Sequence, residues 1–328
     1  MIKTPVLKGL ERSEDEKKEA LITNHPLLLS LYLDTVCNLD CIFCFLDSGE
    51  SHRKEQLSLA QYQGIINQGK DLGIKTTLFF GAGEPLMDEK LFPLIEYSNR
   101  IGLYSVIFTN ASLVTREIAK RVKDLDLSVV TSIKSRNPKT LEELTGVEGS
   151  AKRIYEGFQH LLEAGLNQTY PTRLGMDILI CKQVYDEVPE LIRSCLGNNI
   201  YPMVESLLWK GRAVENYNKL QINDEQKKKL LERLKEEFPE IAGERAYFDG
   251  SACDIDHYTM FVNYDGDVWQ CFSRDIVAGN VRNDTLRNVW NSPSLRRLRE
   301  DSSDRSCAVC IGRRYNLEKS GLINLTQI

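Results

Sequence analysis

The chain has 328 residues, 42% of them hydrophobic and 27% charged, with a formal net charge of −5. That length and balance suit one large α/β domain with a smaller appendage, and they exclude a single small module and an extensively disordered chain. The acidic balance leaves no basic footprint for nucleic acid beyond local patches such as Arg296, Arg297 and Arg299. No apolar run is long enough for a signal peptide or a membrane span, so a cytoplasmic protein with neither nucleic acid nor membrane as partner is expected.

Residues 1–26 read as an N-terminal extension. From 27 to about 206, β-rich apolar runs alternate with helix-period segments, the pattern of β/α units around a parallel sheet. The strands are predicted at 27–34, 75–80, 104–110, 127–133, 173–181 and 200–206. Six such strands predict an α/β fold, a partial (β/α)6 TIM-like barrel over 27–210. Between them, Leu59, Tyr62 and Ile66 follow Ser58, Ile118, Val122 and Leu125 follow Thr115, and Ile154, Phe158 and Leu161 follow Ser150, each set forming one apolar helix face. A further helix around Pro189 carries Val188, Ile192 and Cys195 on one stripe before Gly197 ends it, which makes Cys195 a core thiol. Residues 211–246 predict a connecting helical segment, capped at Asn223 or Asp224 and carrying Leu230, Leu231, Leu234 and Phe238. From 247 the signals change to a hairpin, 260–264 and 268–272 joined at Asp265-Gly266, which opens a small C-terminal α+β domain over 247–328.

Nine cysteines without a secretion signal point to metal rather than disulfides. Cys37-x3-Cys41-x2-Cys44 follows the first strand directly, which puts three thiolates at the C-terminal mouth of the barrel, where barrel enzymes keep their chemistry. A four-iron cube held by three thiolates keeps one iron open for substrate or cofactor. Phe43 and Phe45 flank Cys44 and would shield such a cube. A zinc site or inert thiols are the competing reading. Cys253, Cys271, Cys307 and Cys310 form a second group with the shape of a closed four-thiolate site, for which structural zinc competes on geometry alone.

The three-cysteine loop after the first strand resembles the defining motif of the radical S-adenosylmethionine (radical SAM) superfamily. That resemblance implies that the open iron of a [4Fe-4S] cluster chelates SAM, and that one-electron reduction yields methionine and a 5′-deoxyadenosyl radical. Further positions match in order. Gly81-Ala82-Gly83-Glu84-Pro85 is similar to the loop that contacts the SAM amino group, with Ala82 in place of a glycine. Thr109-Asn110 is similar to a Thr-Asn-Gly segment, with Ala111 in place of its glycine. Ser132 and Lys134 fall where relatives place polar groups near the ribose and the methionine carboxylate, and Arg173 is a candidate partner of that carboxylate. The tail resembles the SPASM and shortened twitch domains, and so implies an auxiliary [4Fe-4S] cluster on Cys253, Cys271, Cys307 and Cys310. No cysteine follows Cys310, so the single-cluster form is the better match.

The expected reaction starts with abstraction of a substrate hydrogen atom. The leading reading is a two-electron oxidation, a dehydrogenation of a small biosynthetic substrate. The alternative is maturation of a ribosomal peptide by cross-linking or epimerisation, and a non-catalytic zinc or iron-sulfur module is the reading from another class. Glu205, Lys210 and Arg212 are the candidates for the proton step, with Asp177 inside the fifth strand. Cys181 is a candidate hydrogen-atom donor if it faces the barrel mouth. A reductant such as flavodoxin or ferredoxin is the implied electron partner.

Overall fold

The computed structural model describes residues 4–46, 48, 49, 56–244, 255–269, 271 and 276–301. Strands β1 (Leu28–Tyr32), β2 (Thr76–Phe80), β3 (Tyr104–Thr109), β4 (Ser128–Thr131), β5 (Leu174–Ile180) and β6 (Tyr201–Ser206) run parallel, each paired with the next in chain order. All six predicted strands are present and shorter by one to three residues, because residues at one or both ends leave the ladder to enter the loops.

Alternation along each strand sorts the side chains between two cores. Leu28, Leu78, Val106, Val130 and Tyr201 pack together on the inner face. Leu29, Leu31, Phe79, Ile107, Val129 and Ile178 pack outward against the helices. Burial on both faces explains why these strands read as nearly continuous apolar runs.

The N-terminal extension is built into the barrel floor. Leu7 bridges Thr172 and is fully buried in the inner cluster, Lys8 N–H donates to Thr172 O (2.8 Å), and the hydroxyls of Thr76 and Ser128 donate to the carbonyls of Gly9 (2.6 Å) and Lys8 (2.8 Å). Helix Glu14–Thr23 was absent from the sequence expectations because Ala20 is its one buried residue, so it carries no apolar stripe. Its start was nonetheless legible as a Ser13-x-x-Glu16 capping box.

Ser58 and Thr115 cap the helices that follow them. Ser150 does not: Gly149, at φ +69°, holds the cap position, and Ser150 is the first helical residue, its hydroxyl bonded to Thr145 Oγ1 (2.6 Å). An additional short helix, Pro138–Thr145, follows β4 and is capped by Asn137. Cys195 is buried against Met176 Sδ (3.8 Å), a core thiol as its stripe position predicts. The connecting helix Asp224–Glu237 starts at an Asn223–Gln226 capping box.

The described part of the tail joins the core sheet. Strand β7 (Thr259–Val262) pairs in parallel with the free side of β1, and the antiparallel strands β8 (Asp267–Trp269) and β9 (Val277–Asn280) complete a sheet of order β6-β5-β4-β3-β2-β1-β7-β8-β9. The expected hairpin is therefore present at Gly266 (φ +95°), but it extends the core sheet. Helix Leu286–Trp290 anchors the tail to helix Leu59–Asp71 through Leu286 N–H and Gln68 Oε1 (2.9 Å), and Trp290 Nε1 donates to Asn24 O (2.8 Å). No described helix is long and apolar enough to cross a membrane.

Candidate active site

Cys37, Cys41 and Cys44 lie half-buried on the loop after β1, at the C-terminal ends of the parallel strands. Neighbouring backbone pins that loop throughout. Cys37 N–H donates to Gly49 O (3.1 Å), Asp40 N–H to Thr145 O (2.9 Å) and Ile42 N–H to Leu144 O (3.0 Å). Helix Pro138–Thr145, missed in the sequence, is thus one wall of the loop.

The Gly81-Ala82-Gly83-Glu84-Pro85 turn lies flush against the start of the same loop. Gly83 N–H donates to Asp34 O and Glu84 N–H to Val36 O, both at 2.8 Å. A Cβ on Gly83 would stand 1.9 Å from the Val36 carbonyl oxygen, so this position requires glycine. Ala82 is a tolerated departure: its methyl group is buried beside Tyr32 and Phe261.

Glu84 is 4% exposed, and its carboxylate accepts from Thr109 Oγ1 (2.6 Å), Asn110 N–H (2.8 Å) and Leu86 N–H (3.1 Å). Burial pushes its pKa above the usual carboxylate range, and those three donors oppose the shift. The side chain of Glu84 therefore locks the β2 loop to the end of β3, and Thr109 and Asn110 serve as its donors. Asn110 Nδ2 also donates to Asn38 Oδ1 (3.0 Å), and Asn38 Nδ2 to Ser112 Oγ (2.8 Å), which ties the cysteine loop to the same strand end. Ala111, at φ +65°, adopts the left-handed backbone of this turn.

Across the mouth, Lys134 is 2% exposed, forms an ion pair with Asp177 and lies 5.5 Å from the centre of the Phe43 ring. Ser132 Oγ donates to the same oxygen of Asp177, Oδ2 (3.2 Å). The other oxygen, Oδ1, is buried without a hydrogen-bond partner among the described residues. Glu205, on β6, is half-buried; burial first, and the adjacent Asp177 charge second, raise its pKa well above the ordinary carboxylate range, against the pull of Lys134. Asp177 and Glu205 thus lie on adjacent strands, two register positions apart on the same face, the first paired and the second biased to hold a proton.

Several sequence expectations need correction. Arg173 precedes β5 at the opposite end of the barrel from the cysteine loop, donating to Lys123 O (3.1 Å) and pairing with Asp126 (3.3 Å), so it braces the floor and cannot reach the mouth. Cys181 is fully buried among Leu144, Leu179, Val184, Ala213 and Leu220, and burial raises its thiol to about 11; it is packed rather than presented to substrate. Arg212 is bonded to the carbonyls of Cys41 and Ser48, which removes it from the proton step. Lys210 Nζ lies 5.6 Å from the centre of the Trp269 ring, towards the tail hairpin. Asn38 and Ser48 went unnoticed in the sequence, although both stand within a few residues of a cysteine.

Cys271 is buried; Cys253, Cys307 and Cys310 lie outside the described residues. Aromatic rings line the route from the barrel interior towards it: Phe108 stacks on Phe80 (4.0 Å), Tyr32 on Phe80 (5.9 Å), and Trp269 tilts against Tyr32 (5.6 Å).

The chemistry of the first cysteine group suits an iron cube. Burial raises the Cys37 thiol to about 11 and the Cys41 thiol further, so neither would ionise at neutral pH without a strong local cation. Iron would supply that charge, and Lys134 and Arg212 add to it. Among the described residues no three His, Cys, Asp or Glu side chains converge on a point able to hold a single ion.

Comparison with known proteins agrees with this geometry. Residues 32–195 match the model of the radical SAM superfamily, and residues 253–311 that of an iron-sulfur cluster-binding domain of the SPASM type. The chain is 24% identical to an AdoMet-dependent heme synthase of Methanosarcina barkeri (strain Fusaro / DSM 804), over 88% of this chain and 89% of that one. It is 24% identical to the mycofactocin maturase MftC of Mycolicibacterium smegmatis (strain ATCC 700084 / mc(2)155), over 87% and 75%. Its fold is similar to Streptococcus suis SuiB bound to the precursor peptide SuiA, with a TM-score of 0.64 at 20% identity, covering 87% of this chain and 70% of SuiB. The loop of three cysteines, the glycine turn laid against it and the family match together make one conclusion: this chain belongs to the radical SAM superfamily, with SAM, a [4Fe-4S] cluster and an auxiliary cluster as its cofactors.

Proposed function

We propose that the chain oxidises its substrate by two electrons after hydrogen-atom abstraction, with Asp177, Lys134 and Glu205 managing the proton. Cys37, Cys41 and Cys44 would hold the SAM-binding cluster, and Cys253, Cys271, Cys307 and Cys310 the single auxiliary one. SAM cleaved at the first cluster supplies the hydrogen-abstracting radical. The Gly81–Pro85 turn offers backbone groups to SAM, because the Glu84 carboxylate is already engaged. Phe43 and Phe45 cover the cysteine loop and limit water.

The observation that carries this reading is the carboxylate pair, with one buried Asp177 oxygen left without a partner among the described residues. A buried polar atom in that state costs free energy unless a ligand satisfies it, so an O–H or N–H of substrate is its natural partner. The substrate loses a hydrogen atom from carbon, then a proton from the neighbouring O–H or N–H to the carboxylate pair. The remaining electron leaves along the aromatic series towards Cys271. Atoms and charge balance with one C=O or C=N bond formed.

A second reading applies the same start to a ribosomal peptide. Likeness to mycofactocin maturase over most of the chain favours it, as does the precursor peptide bound by SuiB. The test is an anaerobic assay of the reduced, reconstituted protein with candidate small molecules and precursor peptides. Formation of 5′-deoxyadenosine together with a product lacking two hydrogens supports oxidation, and a redox-neutral product rejects it.

A further inference from the structure

The segment after β6 reaches back across the cysteine loop, and one residue of it holds that loop near both ends. Arg212 Nε donates to the Cys41 carbonyl (3.0 Å) and Nη1 to the Ser48 carbonyl (2.7 Å). Nη1 also stands 3.1 Å from the Asp40 carboxylate. Gly211 allows this approach: at φ +53°, a Cβ there would meet the carbonyl oxygens of Cys44 and Phe45 at 2.8 and 3.0 Å. Asn216 Nδ2 adds a tie to Ile42 O (3.3 Å).

The clamp fixes more than backbone. Ser48, whose carbonyl is held by Arg212, directs its own N–H to the Cys44 sulfur (3.4 Å), and its hydroxyl donates to Ala82 O, in the glycine turn. One guanidinium therefore sets the span from Cys41 to Ser48 and steadies the N–H aimed at Cys44. Its charge is also sheltered. The Arg212 side chain is 17% exposed whereas that of Asp40 is 69% exposed, so solvent screens the anion more than the cation.

We propose that Arg212 is a positioning residue that raises the reduction potential of the iron cube, by clamping the cysteine loop and placing a fixed positive charge against it. This rests on Cys37, Cys41 and Cys44 being the ligands of that cube. Adding an electron makes the cube and its thiolates more negative, so a nearby cation and a sulfur-directed N–H both favour the reduced form. The planar fork suits this place because its donors serve two carbonyls and a carboxylate at once, whereas a lysine would bring the charge without the clamp.

The test is a redox titration of the anaerobically purified holoprotein by electron paramagnetic resonance, following the signal that changes when SAM is added. In Arg212→Gln, the ratio of reduced to oxidised cube at a fixed potential should fall about tenfold, the size expected for losing one charge-assisted contact. Arg212→Lys should fall less, and Asp40→Asn should shift the ratio the opposite way. Absence of a SAM-responsive signal in the unaltered protein would overturn the ligand reading itself. With that signal present, Arg212→Gln and Asp40→Asn titrating as the unaltered protein does would overturn the role of Arg212. So would loss of iron from Arg212→Gln with the remaining cube at its original potential, because a brace without electrostatic effect produces that result.

Discussion

Lys134, three residues after β4, and Asp177 within β5 form an ion pair inside the barrel mouth. The pair is close to fully buried on the lysine side, with side-chain exposures of 3% for Lys134 and 15% for Asp177. Removing one partner from such a pair leaves an uncompensated charge. Lys134→Met should destabilise the protein by about 3–5 kcal/mol, and Lys134→Met combined with Asp177→Asn should recover much of that loss. Chemical denaturation of both variants checks it, and equal stability of single and double variants would contradict the pairing.

Glu205 makes the pH dependence specific. Its pKa is raised in the folded protein, so the native state binds a proton that the unfolded chain has already released. Stability from this group therefore declines as pH rises from the ordinary glutamate value towards the raised one. Glu205→Gln should remove that decline, so its melting temperature relative to the unaltered protein should improve between pH about 5 and about 8. Asp177→Asn, which removes the ionised carboxylate of the pair, should lower product formation by about 10²–10⁴ while SAM cleavage continues, because a neutral amide cannot accept the proton.

Gly83→Ala tests the contact between the glycine turn and the cysteine loop. The new methyl carbon would fall 1.9 Å from the Val36 carbonyl oxygen, which backbone can relieve only by moving the two loops apart. Displacement of that size should reduce SAM cleavage about a hundredfold. Ala82→Gly, at a position that tolerates a methyl group, should leave cleavage nearly unchanged. Quantifying 5′-deoxyadenosine from both variants separates the two positions.

Gly157→Ala tests packing behind the β3 end. Alanine gains about 1 kcal/mol of helix propensity over glycine, but its Cβ would meet Ala111 O at 1.9 Å. Overpacking of that severity costs about 1–3 kcal/mol and should prevail. A lowered denaturation midpoint with an unchanged m-value is the expected result.

Much of the barrel was legible because its strands are buried on both faces and several of its helices, those after Ser58 and Thr115 among them, begin at side-chain caps. The helix Glu14–Thr23 was not, since a helix lacking an apolar stripe leaves no periodicity, and the attachment of β7 to β1 was not, since strand pairing across more than two hundred residues has no local signature. The cysteines, Glu84, Asn110 and Lys134 were readable as residue types in order along the chain. Which end of the barrel each one occupies was harder. Arg173 and Lys134 flank strands in similar ways, yet Arg173 precedes its strand and Lys134 follows its own, which places them at opposite ends. Asn38 and Ser48 were invisible because their work is done through hydrogen bonds that only the folded loop brings together.

The most direct measurement is electron paramagnetic resonance of the anaerobically reduced protein and of the Cys37→Ala, Cys41→Ala and Cys44→Ala triple variant, each with and without SAM. The account predicts a [4Fe-4S] signal that SAM alters in the first and that the triple variant lacks. A zinc-loaded protein without that signal, or a cube in the unaltered protein indifferent to SAM, would contradict it.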